Sequence, residues 1–127
     1  MQHPFAELIG LAVDQVADGS TIASIMIGGQ HLNPHGVVHG AVIYALADTG
    51  MGAALYPTLD AGQACATIDI KISYFRPVAG GRLECTTTLD NKGRTIAHLT
   101  SRIIQNDKLI AIASGNFAIL ATAPSSR

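Results

Sequence analysis

Charged side chains are scarce in this sequence. They make up 13% of its 127 residues, whereas apolar residues make up 48%. The charged share is about half of the roughly one quarter that is usual in soluble domains. The length is enough for one domain with a real core. So few charges cannot cover the surface of a small monomer, so we expect a homo-oligomer.

Lysine and arginine are absent before Lys71. All eight lie from that position onward, against three acids, so the chain after residue 70 has a formal charge of +5 and the first seventy residues have −6. The net charge of −1 argues against nucleic acid as the main partner. The basic C-terminal part fits a small polyanionic ligand, and it fits a solvated strand face equally well.

Cysteines are few, and we do not expect a signal peptide. Cys65 and Cys85 show no metal-type spacing, so we expect reduced core thiols. The N-terminal residues lack the basic and long apolar regions of a signal peptide. To span a bilayer, the apolar run 37–56 would have to bury Asp48 at a cost of about 2.5–3.5 kcal/mol, without flanking Lys or Arg. We therefore expect a soluble cytoplasmic protein.

The hydrophobic patterns predict a single α+β domain over residues 1–127, without repeats or a linker. Pro34 and Gly36 break any helix upstream, and the run 37–56 contains no proline, so a helix of about four to five turns begins near His39 and Gly40. This helix is apolar nearly all round and should be enclosed by protein. Alternating segments predict six strands, at Leu11–Val16, Ser20–Ile27, Cys65–Phe75, Arg82–Leu89, Thr95–Gln105 and Leu109–Ala121. The antiparallel sheet is expected to curl around the helix.

Smaller features complete the predicted fold. We expect a short N-terminal turn or helix at Pro4–Ile9 and a flexible tail at residues 122–127. Hairpin turns are expected at Asn91–Gly93 and Asn106–Asp107. Strict alternation on the third strand places Ile68, Ile70, Ile72 and Tyr74 on one face, and Thr67, Asp69, Lys71 and Ser73 on the other.

Asp48 is the one charged residue between Asn33 and Tyr56, and a buried carboxylate is costly unless it has partners or a task. At the helix start, Gly40 offers a free N–H and the positive end of the helix dipole, which can polarise a carbonyl oxygen. About 12 Å of helical rise separates the two residues, so they cannot act on one carbonyl from the same chain. In a twofold dimer with antiparallel helices, each helix start lies opposite the middle of its neighbour. We therefore expect a composite site, made of Gly40 from one subunit and Asp48 from the other.

The spacing Asn33-x-x-Gly36-x-x-His39-Gly40, followed by Leu46-Ala47-Asp48, resembles the active-site segment of the hotdog-fold acyl-CoA thioesterases, in particular the PaaI-like (phenylacetic-acid-degradation) group. The segment 67–77 is similar to the next strand of that group, and Gly93-Arg94 to its hairpin. The sequence departs from the family at Ala41, where a second glycine is common, which bears on the width of the acyl channel. Thr67 stands where some members have serine, and both supply a hydroxyl.

This resemblance implies a fold, an activity and a set of roles. The fold is a central helix wrapped by a sheet, with dimers that form tetramers, and the substrate is an acyl thioester of coenzyme A. Asp48 would be the general base or nucleophile, and the Gly40 N–H would polarise the thioester carbonyl. Asn33 and Thr67 would position water or the carboxylate, and His39 would shape the site. Contacts with coenzyme A phosphates are implied for the hairpin residues Lys92, Gly93 and Arg94. Hydrolysis of this kind needs no metal or bound cofactor.

Plainer interpretations stand beside these roles. Asp48 would be a hydrogen-bonded structural carboxylate, Asn33 a turn cap and Arg94 a solvated turn residue. Aromatic, medium-chain and hydroxylated acyl groups all fit the sequence, and the residues that would line an acyl pocket also fit plain packing. These residues are Tyr44, Met51 and Tyr56.

Other functions are compatible with single motifs. His31, His35 and His39 recur every four residues, as metal ligands on a helix do, although Pro34 and Gly36 interrupt such a helix. The triplet 48–50 reads Asp-Thr-Gly, the signature of retroviral-type aspartic proteases, which requires a β-loop rather than a helix. A hotdog-fold hydratase or dehydratase and a non-catalytic acyl-CoA-binding protein are the remaining alternatives.

Overall fold

The computed structural model describes residues 2–122. Its elements follow one another as α1 (Pro4–Ile9), β1 (Leu11–Ala17), β2 (Ser20–Ile27), α2 (Gly40–Leu55), β3 (Gln63–Tyr74), β4 (Gly81–Lys92), β5 (Ile96–Gln105) and β6 (Lys108–Ala121). Single 3-10 turns occur at Gly29–His31 and Tyr56–Thr58. The predicted N-terminal helix, central helix and six strands are confirmed, with ends that differ by a few residues. The predicted flexible tail lies outside the described residues, except for Thr122.

The six strands form one antiparallel sheet in the order β1-β2-β4-β5-β6-β3. The strand that follows α2 therefore crosses to the far side, so β1 and β3 are the two edges. The sheet curls around α2, which contacts all six strands, as the α+β prediction requires. One side of β3 pairs with β6, and within the described part of the chain its other side is unpaired.

Helix α2 begins where His39 caps it. The backbone of His39 is extended, and its Nδ1 accepts a hydrogen bond of 2.9 Å from the Ala41 N–H. Small residues let the helix approach the sheet closely: at Gly50 an added Cβ would lie 2.8 Å from the Thr87 hydroxyl oxygen. The Thr21 hydroxyl donates to the Gly50 carbonyl at 2.7 Å. The core between helix and sheet contains fully buried Leu46, Met51, Leu55, Leu83, Leu99 and Ile103. Within residues 2–122, no helix has the length and apolar character needed to cross a bilayer.

Of the two predicted hairpin turns, one lies where it was predicted and the other lies about two residues later. Asn106 and Asp107 both have positive φ angles, of 50° and 63°, which is the geometry of a tight two-residue hairpin turn. The prediction of a turn at Asn91–Gly93 is wrong by about two residues, because β4 continues to Lys92 and the chain turns at residues 93–95. Gly93 is required there, since an added Cβ would lie 3.0 Å from the Ile96 carbonyl oxygen.

The predicted alternation of β3 is wrong at Thr67. This residue pairs with Phe117 on β6, and Asp69 pairs with the preceding residue, Asn116, so Ile68 is an extra residue in a β-bulge. Ile68 is 52% exposed. The bulge places Thr67 on the inner face, toward α2, while Asp69 remains on the outer face. From Ile70 onward the predicted alternation holds.

Candidate functional site

Asp48 lies in the middle of α2, half-buried, with its carboxylate directed toward the edge strand. The Thr67 hydroxyl donates a hydrogen bond of 2.7 Å to the Oδ1 atom of Asp48. Among residues 2–122, no other group hydrogen-bonds to this carboxylate. One oxygen is therefore oriented by Thr67, and the other remains available to a ligand.

A cleft of about 510 Å³ opens beside Asp48, and we call it the Asp48 cleft. Its volume is within the range of about 300–1,000 Å³ that small-molecule sites occupy. Most of its wall is apolar, so a hydrophobic group can be buried next to the carboxylate. The residues that line it are His3, Phe5, Val13, Val16, Ala45, Asp48, Thr49, Gly52, Ala53, Tyr56, Cys65, Ala66, Thr67 and Phe117.

The Cys65 thiol lies close enough to Asp48 for the carboxylate to affect its pKa. The Cys65 thiol lies on the inner face of β3, two residues before Thr67, and is half-buried in the same cleft. Burial raises the pKa of this thiol, and the nearby Asp48 carboxylate raises it further. The prediction of a plain core thiol missed this contact, although residues two apart on a strand share a face. Cys85, by contrast, is fully buried, as predicted.

The start of α2 forms a second centre. The Gly40 N–H has no hydrogen-bond partner among the described residues, since the cap on His39 takes the next amide. Tyr74, near the end of β3, donates its hydroxyl to the Gly40 carbonyl at 2.7 Å. Burial and the nearby Tyr44 raise the pKa of Tyr74. The helix start therefore combines an open amide with the positive end of the helix dipole.

A smaller cleft of about 300 Å³ opens at this end, and we call it the helix-start cleft. Arg76 lines this cleft. The sequence indicated Arg76 only as one of the basic residues of the C-terminal part. The contact between Tyr74 and Gly40 was not predicted either. The two residues are 34 positions apart in the sequence, so no local pattern links them. The residues that line this cleft are Val38, Gly40, Ile43, Tyr74, Phe75, Arg76, Pro77 and Val78.

Asn33 holds the loop that leads into α2. Its Oδ1 atom accepts hydrogen bonds from the backbone N–H groups of His35, at 2.9 Å, and Val37, at 3.4 Å. The side-chain oxygen of Asn33 therefore caps this turn, as the plainer interpretation expected. The side-chain NH₂ of Asn33 makes no hydrogen bond within the described part of the chain and can still donate.

The predicted hairpin residues lie away from both clefts. Lys92 donates its ammonium group to the Thr58 carbonyl, Gly93 forms the turn, and Arg94 is exposed. One chain thus brings Asp48 and Thr67 together, and separately gathers Gly40, His39 and Tyr74 at the helix start. These two groups, like the hairpin, do not meet within one chain.

The histidine and protease hypotheses do not fit this geometry. His31 is buried, its Nδ1 accepts from the Gly28 N–H at 2.8 Å, and its Nε2 therefore carries the proton donated to the Ile9 carbonyl at 2.6 Å. No three His, Cys, Asp or Glu side chains cluster as metal ligands in the part of the chain that the structure describes. The Asp-Thr-Gly triplet at residues 48–50 lies inside α2, as the helix prediction requires, and not in the β-loop that an aspartic protease needs.

Comparison with known proteins places the chain in a family. Residues 35–112, more than half of the chain, match the family model described as the thioesterase superfamily. A conserved protein of Pseudomonas aeruginosa, PA5202, superposes with a TM-score of 0.87 at 30% identity, over 94% of this chain and 96% of that one. A variant of the phenylacetic acid degradation protein PaaI from Thermus thermophilus superposes with a TM-score of 0.85 at 29% identity, over 91% and 98% of the two chains.

A relative of named activity is also similar. The acyl-coenzyme A thioesterase PaaI of Escherichia coli is 27% identical over 112 residues, which are 87% of this chain and 78% of that protein. Sequence and fold agree with one another. The chain belongs to the thioesterase superfamily and is a hotdog-fold, PaaI-like thioesterase.

Proposed function

We propose that the protein hydrolyses acyl-CoA thioesters at a composite site, with Asp48 of one subunit and the Gly40 N–H of the other acting on one thioester. The observation that supports this best is the hydrogen bond from Thr67 to Asp48 beside an apolar cleft. An oriented carboxylate next to a hydrophobic wall suits a reaction in which the acyl group is buried and the carbonyl carbon is attacked. We place the enzyme in the cytoplasm, in line with its two free cysteines.

The edge of β3 that has no pairing strand in the described part of the chain supports the composite site. Thr67 contacts Asp48 in the N-terminal half of this strand, and Tyr74 contacts Gly40 at its C-terminal end. If two copies pair their β3 edges about a twofold axis, the strands run antiparallel, and the Thr67 end of one copy comes beside the Tyr74 end of the other. Exposed apolar side chains on this edge, including Ile68, would be covered by the same pairing.

The chemistry requires two groups with separate tasks. The Gly40 N–H and the dipole of α2 stabilise the negative charge that forms on the thioester oxygen. As a general base, Asp48 removes a proton from water while the water oxygen bonds to the carbonyl carbon. The carbon–sulfur bond then breaks, and the proton passes to the departing thiolate of coenzyme A. As a nucleophile, the carboxylate would itself bond to the carbonyl carbon as the carbon–sulfur bond breaks and the thiolate of coenzyme A leaves. Water would then cleave the resulting anhydride into the free acid and the Asp48 carboxylate, and the proton that water releases balances the one that the thiolate takes up. One turnover in ¹⁸O-water tests the second route, because ¹⁸O in the Asp48 side chain can arise only when water attacks the Asp48 carbon of an anhydride.

Coenzyme A carries phosphates, and the basic C-terminal part supplies partners for them. Arg94 is exposed on the β4–β5 turn, and Arg76 lines the helix-start cleft. We propose that Arg94, with Lys92 and Gly93, contacts the phosphates of coenzyme A. No further cofactor is needed, since coenzyme A enters as part of the substrate.

Two variants separate the halves of the composite site. Asp48→Ala removes the carboxylate. Gly40→Pro removes the N–H while fitting the first helical position, because His39 before it is already extended, with φ −63° and ψ 134°. Gly40→Ala is the matched control: it adds the same Cβ, 3.1 Å from the Tyr74 hydroxyl, but retains the N–H.

The test is thiol release by mixed dimers of Asp48→Ala and Gly40→Pro subunits, purified through two different tags. Each variant alone should be nearly inactive, and a mixed dimer should regain one intact site of two, or about half of the wild-type rate. Inactive mixed dimers would refute the shared site. An Asp48→Ala protein that turns over normally would refute the catalytic assignment, and acyl-CoA binding without thiol release would favour a non-catalytic binding protein.

A further inference from the structure

We propose that Asn116 is a positioning residue for the Asp48 site. It acts by fixing the β-bulge at Ile68, which turns Thr67 toward α2. This inference rests on the proposed function, since it takes Asp48 to be the catalytic group. Asn116 itself lies on the outer face of the sheet and touches neither cleft.

The bulge decides where Thr67 points. On β6, Asn116 and Phe117 are consecutive, but their partners on β3, Asp69 and Thr67, are two residues apart. In a regular strand, residues two apart share a face, so Thr67 and Asp69 would both point outward or both point inward. The extra residue, Ile68, lets Thr67 point inward to the carboxylate while Asp69 points outward.

A chain of hydrogen bonds holds the outward side. The side-chain NH₂ of Asn116 donates to Asp69 Oδ1 at 3.0 Å, and Asn116 Oδ1 lies 2.8 Å from Nδ1 of His98. Because the NH₂ of Asn116 is used by the carboxylate, its oxygen is the acceptor and His98 carries its proton on Nδ1. The chain joins β3, β6 and β5 directly beside the bulge.

The inward side is held by packing and by the site itself. Phe117 is buried and lies opposite Thr67, whose hydroxyl reaches Asp48. Since β3 is an edge strand paired only with β6 in the described structure, the contacts across this pair must set its register. Asn116 supplies the specific polar contact on the outward side of the bulge. Without it, the bulge loses its polar restraint on the outer face, so Thr67 is held less firmly relative to the carboxylate.

The primary test is Asn116→Ala, with Ser114→Ala as the matched control. Ser114 lies two residues earlier on the same outer face of β6 and makes no side-chain hydrogen bond among the described residues. We expect Asn116→Ala to lower kcat several-fold with little change in KM, because the bulge that directs Thr67 to Asp48 loses its restraint on the outer face. Ser114→Ala should leave both constants unchanged.

Conservative replacement gives a second measurement. Asp69→Asn keeps an oxygen that can accept from Asn116 and should retain most of the activity, whereas Asp69→Ala should behave like Asn116→Ala. Equal losses in both Asp69 variants would show that charge matters and would overturn the positioning role.

A double-mutant cycle tests whether Asn116 affects kcat through Thr67. Thr67→Val removes the hydroxyl, so adding Asn116→Ala to it should lower kcat little further. Effects that multiply would overturn the proposal, as would a crystal structure of Asn116→Ala with the contact from Thr67 to Asp48 unchanged in length. If Asp48→Ala is active, the proposed function itself fails. If Asp48 and Thr67 matter but Asn116 does not, only this inference fails.

Discussion

Gly115 lets α2 and β3 lie close together, and its replacement by alanine tests the packing that supports the site. A Cβ added there would lie 2.8 Å from Met51 Sδ, 2.9 Å from Ile70 Cγ1 and 3.2 Å from the Asp69 carbonyl oxygen. Met51 is fully buried, and the Asp69 oxygen belongs to the backbone, so neither can move freely. Helix and edge strand must therefore separate to admit the new methyl group.

The magnitude follows from two opposing effects. Overpacking of this kind costs about 1–3 kcal/mol, and replacing a strand glycine by alanine returns about 0.5–1 kcal/mol of backbone entropy. We expect Gly115→Ala to lower the free energy of unfolding by about 1–2 kcal/mol and Tm by about 3–8 °C. The displacement of β3 should also lengthen the contact between Thr67 and Asp48, so kcat should fall in protein that is still folded.

Urea unfolding and calorimetry measure the first effect, and thiol release at a temperature well below Tm measures the second. Gly80→Ala is the matched control, because a Cβ there meets nothing within 4 Å, and its effect should stay within about 0.5 kcal/mol. Met51→Ala should cost less in the Gly115→Ala protein than in the wild type, since it removes one of the crowded atoms. Wild-type stability of Gly115→Ala, or strictly additive effects, would refute the packing argument.

Three further predictions concern single side chains. His31→Ala leaves two partly buried backbone groups without this partner and should destabilise the fold by about 1–3 kcal/mol in urea unfolding, whereas alanine at the exposed His35 should not. Arg94→Ala should raise KM for acyl-CoA several-fold but not for an acyl-pantetheine without the adenosine phosphates; equal changes would argue against a phosphate contact. Asp48→Asn removes a negative charge that raises the pKa of Cys65, so this pKa should fall and iodoacetamide should label the thiol faster at about pH 8. An unchanged labelling rate would contradict the contact.

The elements with strong local signals could be predicted from the sequence. The apolar run that forms α2 could not be mistaken for an alternating strand, and the loop before it contains Pro34 and Gly36, so the helix start at Gly40 was predicted correctly. The turn at Asn106–Asp107 was predicted because both residue types tolerate a positive φ. Local chemistry decided each of these features.

The details that assemble the site depend on contacts between distant residues. The bulge at Ile68 arises from the pairing of β3 with β6, and the local alternation of β3 predicted a regular strand instead. The contact between Tyr74 and Gly40 likewise joins residues 34 apart. Periodicity describes one strand at a time, so it could not reveal which strand would neighbour it or where the register would shift. Thr67 entered the predicted site through a family resemblance, and its inward direction became clear only from the paired sheet.

Among residues 2–122, one edge of β3 has no pairing strand, which has a consequence for the newly made chain. An uncovered twelve-residue strand with apolar side chains is a template for uncontrolled association, and cells remove or shield such surfaces. If the second subunit covers this edge and thereby completes the active site, a single unassembled subunit would be prone to aggregation and would have no activity. Turnover would then begin only after assembly, so the catalytic output of a cell would follow the concentration of assembled protein rather than the rate of synthesis.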